Sequence, residues 1–112
     1  MKKIEAIIRP AKVGDVCTAL DRLGHPGVMI TELEGHGRQK GIEQSLHGKT
    51  FKCEFLPKVM IQIITPDDAV EKIASAIKAA AYTGEMGDGK VFIYPVDEAI
   101  RIRTGERGDA AL

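Results

Sequence analysis

"VMIQIITP", residues 59–66, decides the fold, because it echoes "KIEAIIRP" at residues 3–10. Both are apolar runs with β-branched residues, and both stop at a proline, which removes a backbone donor and disfavours helix in the residue before it. Each run is followed by apolar residues at helical spacing: Val13, Val16, Leu20 and Leu23 after the first, Val70, Ile73 and Ile77 after the second. Asp67 and Asp68 stand where an N-cap and a first-turn acid would support the second helix. Further strands are predicted at "VMITELE" (28–34) and "KVFIYPV" (90–96), and "AIRIRTG" (99–105) alternates as a short extra strand or arm. The order βαββαβ is that of the ferredoxin-like α+β fold, an antiparallel sheet with two helices on one face.

Two helices cover one face only, yet "VMIQII" is apolar on both sides. Ile61 and Ile63 point one way and Met60 and Ile64 the other. The chain has no further element for the second face, so an oligomer is expected.

At 112 residues, 44% hydrophobic and 29% charged, the chain suits a single domain with a real core. Its 16 basic and 16 acidic side chains cancel, which argues against a global field recruiting nucleic acid or membrane. No secretory signal precedes the first strand, so a cytoplasmic protein is expected. The two cysteines give no disulfide framework. Cys17 falls on the apolar side of the first helix and is expected in the core; Cys53 falls in a loop.

That loop, residues 35–58, far exceeds the roughly two to five residues a hairpin needs. Long loops in compact domains are usually functional or disordered. It carries Arg38, Lys40, Lys49, Lys52 and Lys58 against Glu43 and Glu54. Within it, "GRQKG" (37–41) flanks Arg38, Gln39 and Lys40 with glycines, so backbone can approach a ligand closely. "TGEMGDGK" (83–90) meets the phosphate-loop spacing, but Val91 stands where a hydroxyl belongs and the order is helix–loop–strand. Its glycines still permit an anion nest with Lys90 beside it. "RIRTGE" (101–106) puts Arg101 and Arg103 on one face of an extended chain, a pair that suits phosphate oxygens. Taken singly, "GRQKG" also reads as an ordinary mobile loop, "TGEMGDGK" reads equally well as a flexible turn, and "RIRTGE" reads better as a solvated edge strand. No zinc spacing, catalytic triad or paired-carboxylate site stands out, and the RNA-binding aromatic signature of this topology is missing.

Together the motifs, with "FLPK" at 55–58, resemble the PII nitrogen-regulatory signal proteins over nearly the whole chain. The resemblance implies a homotrimer with sheets turned inward, one signalling domain over 1–112, a T-loop at about 37–55, a phosphate loop at 82–90 and a C-terminal arm at 100–112. It implies a regulator rather than an enzyme, with ATP or ADP in clefts between subunits. Gly87, Asp88, Gly89 and Lys90 would hold phosphates, Arg38 would approach the terminal phosphate, and Arg101 and Arg103 would reach over from the neighbour. Ile7 and Ile64 would pack near the nucleoside, with Gly35 and Gly37 offering backbone. The family's effector, 2-oxoglutarate, would bind beside a magnesium ion held by Gln39, with Lys58 on a carboxylate and the amides of Lys40 and Gly41 completing the pocket. The T-loop would then report ligand state to a protein partner through residues 42–54, with His47, Lys49 and Phe51 in the docking surface. An ammonium transporter, a nitrogen-metabolism enzyme or a transcriptional regulator would be the partner, so contact with a membrane is expected only through a transporter.

Four departures qualify the resemblance. Phe51 lacks the hydroxyl that many bacterial relatives modify by uridylylation or adenylylation. Lys49 stands in place of a phosphorylatable serine, and His47 in place of a pore-directed arginine. Gln62 replaces a glutamate that could pair with Lys58 or Lys90, and Met29 a threonine near the adenine. Two alternatives stay open: an ATP-hydrolysing enzyme using the same cleft, and an adenylate-only binding module.

Overall fold

The computed structural model describes residues 1–24, 27–35, 42–46, 49–53 and 56–112, with backbone alone for 35, 42–46 and 49–53. Strand β1 is Lys2–Ile8, helix α1 Val13–Arg22, strand β2 Met29–Gly35, and strands β3 and β4 are Ile42–Leu46 and Lys49–Cys53. Strand β5, Leu56–Thr65, helix α2, Val70–Ala81, and strand β6, Lys90–Pro95, complete the regular elements. The main sheet has the order β2-β5-β1-β6 with antiparallel pairing throughout. Both helices lie on one face. This is the ferredoxin-like α+β fold.

The echoed strands are the two central ones. Ile4, Ala6 and Ile8 face Ile63, Ile61 and Val59 across the β1–β5 ladder. These pack beneath Val16 and Leu20 of α1 and Val70, Ile73, Ile77 and Ala81 of α2, all buried. Each fully buried isoleucine contributes roughly 1.5–3 kcal/mol by transfer from water, so this single layer supplies the core. Buried with them is Thr65, whose Oγ1 meets no hydrogen-bond partner among the described residues. The prolines end both central strands as expected: Pro10 opens a 3-10 turn over Pro10–Lys12, and Pro66 precedes another over Asp67–Ala69. That second turn corrects the capping expectation. It moves the cap of α2 to Ala69, with no side-chain cap bond, and the Asp67 carboxylate instead lies 2.9 Å from the Met1 amino group. Cys17 is half-buried rather than core, because it sits one position round from the Val16–Leu20 stripe.

Two stretches differ from their expected form. The long stretch between β2 and β5 contains a two-stranded sheet, with Ile42 opposite Cys53 and Leu46 opposite Lys49. Two short segments separated by only two residues satisfy each other's backbone groups in this way. The C-terminal "AIRIRTG" is not an extended strand. It turns at 102–104, closed by Gly105 N–H on the Arg101 carbonyl at 2.7 Å, with one bridge between Ile100 and Arg107. Gly105, at φ +74°, supplies the left-handed backbone that the turn requires.

Candidate functional site

The loop from α2 to β6 is organised around one carboxylate. Asp88 accepts from the backbone N–H of Thr83 at 2.8 Å and of Gly84 at 2.9 Å, from the Thr83 hydroxyl, and from Arg9 Nε at 3.1 Å. These donors, with the two Thr83 bonds foremost, hold its carboxyl well below the usual carboxylate range. Gly84, Gly87 and Gly89 all take positive φ, which lets the chain coil this tightly. Gly89 also lies against β1, where a Cβ would overlap the Ile7 carbonyl oxygen.

Two cations grip the loop from different elements. Arg9, at the end of β1, donates Nη2 to the Met86 carbonyl at 2.7 Å. Lys58, near the start of β5, donates Nζ to the Gly87 carbonyl at 2.8 Å. In a trans peptide the N–H points opposite the C=O. Drawing these two carbonyls toward cations therefore turns the N–H groups of Gly87 and Asp88 the other way. Lys90 opens β6 opposite Ile7. The structure thus brings Ile7, Lys58, Gly87, Asp88, Gly89 and Lys90 into one corner of the subunit.

Other expected residues lie elsewhere. Ile64 shares the open sheet face with Ile7 but stands opposite Lys3, four positions along the ladder and roughly 13 Å away at strand rise. Arg101 is engaged locally, donating to Glu106 Oε1 at 2.9 Å and to the Leu112 carbonyl at 3.0 Å, while Arg103 is exposed. Gln62 does not face Lys58 or Lys90. It pairs with Met29 on one side and donates to Glu5 Oε2 at 3.3 Å on the other, so a glutamate there would meet Glu5 instead. Gly37, Arg38, Gln39, Lys40, Gly41 and His47 lie outside the described residues, and Gly35, Lys49 and Phe51 are described by backbone alone. Arg9 was not singled out by any motif. The only sequence signal for it is its place between an apolar strand and a proline, which fixes it at a sheet corner.

A groove of about 530 Å³ between α2 and β6 has Asp88 and Gly89 at one end and Ile8, Ala74, Ile77 and Ile93 among its lining. It lies on the helix side of the sheet, away from the face that carries Ile7 and Ile64.

Residues 1–106 match the family model described as nitrogen regulatory protein P-II. The chain belongs to the P-II family. It is 51% identical to the nitrogen regulatory protein P-II of Rhodospirillum rubrum and 49% identical to nitrogen regulatory protein P-II 1 of Escherichia coli (strain K12), covering 100% of both chains in each case. Among solved structures it resembles Arabidopsis thaliana PII bound to citrate, with a TM-score of 0.81, 39% identity, 99% of this chain covered and 91% of the other. For this P-II family member the glycine loop and its two cations are therefore parts of a regulatory protein's fold.

Proposed function

We propose that the protein is a signal-transduction regulator that binds ATP or ADP at the 83–90 loop and, with ATP and magnesium, 2-oxoglutarate beside it. The observation that carries this reading is the loop's construction. Three positive-φ glycines coil the loop, and the two carbonyl-gripping cations turn the Gly87 N–H away from Arg9 and the Asp88 N–H away from Lys58, leaving backbone donors shortly before Lys90 for an anion nest to use. Asp88 serves this site from behind, as the acceptor that ties the loop together, rather than by touching phosphate.

The ligand set follows from family membership together with intact residues. Lys58 has three donors; one bond to Gly87 leaves the ammonium able to meet an effector carboxylate. The citrate of the Arabidopsis relative supports a carboxylate ligand. Gln39 offers a neutral amide oxygen, which suits a magnesium ion that also takes phosphate oxygens and waters; the ion would offset phosphate charge beside the effector. Since Ile64 lies far from Ile7 within one chain, it would reach the nucleoside only from a neighbouring copy, which supports a trimer with sites between subunits. Arg101 and Arg103 would likewise come from the neighbour. The partner would be an ammonium transporter, a nitrogen-metabolism enzyme or a transcriptional regulator, met through 42–54 in the cytoplasm. Phe51 leaves no hydroxyl there to uridylylate.

Calorimetric titration of 2-oxoglutarate into the protein with Mg-ATP, with Mg-ADP and without nucleotide tests the coupling. Binding in the first arm alone is expected. Effector binding that ignores the nucleotide would overturn the coupled sensor, and no binding in any arm would leave an adenylate sensor at most.

A further inference from the structure

We propose that Arg9 is a positioning residue for phosphate binding by the 83–90 loop, an inference that rests on the nucleotide reading above. Arg9 sits between the last residue of β1 and Pro10, with extended backbone at φ −67° and ψ 139°, so its guanidinium is aimed from a rigid corner. Its side chain is mostly covered, at 29% exposure. One guanidinium spans two loop groups: Nε on Asp88 Oδ1 at 3.1 Å and Nη2 on the Met86 carbonyl at 2.7 Å. The second bond turns the Gly87 N–H away from Arg9, by the geometry of the trans peptide. The first places a positive charge against Asp88, the one carboxylate at the centre of the loop. Without Arg9, that carboxylate would keep its Thr83 and Gly84 donors but lose the positive charge bonded to it, and the Met86 carbonyl would lose its guanidinium donor.

Lysine would not reproduce the arrangement. Its ammonium is a point charge, whereas the guanidinium fork holds a carboxylate and a carbonyl at once. Lysine would thus restore the charge but not the peptide orientation.

The test compares wild type with Arg9→Met, Arg9→Gln and Arg9→Lys, titrating ADP and adenosine calorimetrically, with circular dichroism to establish that each variant is folded. Loss of a charge-assisted bond predicts ADP binding weakened about 10- to 100-fold in Arg9→Met, with adenosine binding changed less than about twofold. Arg9→Lys should recover part of the loss. Backbone amide shifts of Gly87 and Gly89 in the ligand-free protein should move in Arg9→Met and Arg9→Gln while those of core Ile61 do not, a pattern that general destabilisation would not give. Unchanged ADP affinity in folded variants, with wild type binding normally, would overturn this inference alone. Equal losses for ADP and adenosine would also overturn it. Failure of wild type to bind ADP would overturn the nucleotide reading and this inference with it.

Discussion

At Gly89 the backbone takes φ +102° with its α-carbon against the Ile7 carbonyl, so any side chain must push β6 off β1. Gly89→Ala is expected to destabilise the fold by on the order of 2–4 kcal/mol, combining left-handed strain with a backbone clash. Urea unfolding measures it, and a change under about 0.5 kcal/mol would mean that the loop relaxes freely. One residue earlier, Asp88 sets a pH dependence. Its folded pKa lies below its unfolded value, so its contribution is complete above the ordinary carboxylate pKa of about 4 and fades as pH falls below that. Asp67 and Glu98 are shifted in the same direction, so the effect must be isolated by comparison with Asp88→Asn. The stability difference between wild type and variant should shrink from about pH 4 downward; a constant difference to about pH 2.5 would detach the carboxylate's charge from the loop. The glycines and Lys90 were legible in the sequence because a phosphate-loop spacing marks them. Arg9 and the inward role of Asp88 were not, because both depend on which carbonyls a folded loop turns toward cations.

Among the helices and strands, only those that pack on the core carry a clear pattern in the sequence. The two proline-ended strands and both helices follow from periodicity, since a buried face of one layer imposes a strict pattern. The β3–β4 pair is not legible because "IEQSL" and "KTFKC", which form a two-stranded sheet of their own, carry little hydrophobic alternation to read. The C-terminal turn escaped for a different reason: "AIRIRTG" alternates like a strand, but Gly105 and the Arg101 contacts fold it back. Arg101 ties both arms, reaching Glu106 and the Leu112 carbonyl, and leaves Ile102 fully exposed at the bend. Arg101→Ala should therefore loosen this element by itself. Amide exchange at Gly105 and Gly108 should quicken, while global stability falls by less than about 1 kcal/mol, the range of exposed ion pairs. A global loss of several kcal/mol would mean that the arm braces the core.

The open face of the sheet is where the whole molecule must be completed. Rows that cross it include Lys90, Ile7, Met60 and Thr31; Phe92, Glu5, Gln62 and Met29; and Tyr94, Lys3 and Ile64. Aromatic and aliphatic groups flank a central polar knot, with Gln62 and Tyr94 bonding Glu5 and Lys3 lying 4.5 Å from the Tyr94 ring centre. A face like this, with Met29 54% exposed and Phe92 43%, is costly to leave in water and suits contact with further copies. Met60 belongs to this face and to no part of the helix-side core. Met60→Glu is thus expected to separate the copies without unfolding the chain. Sedimentation equilibrium should give three chain masses for wild type and one for the variant, with helical circular dichroism preserved in both. A trimeric variant would move the contact to the β2 and β6 edges. A monomeric wild type would remove the trimer, and with it the only route by which Ile64 reaches the glycine loop.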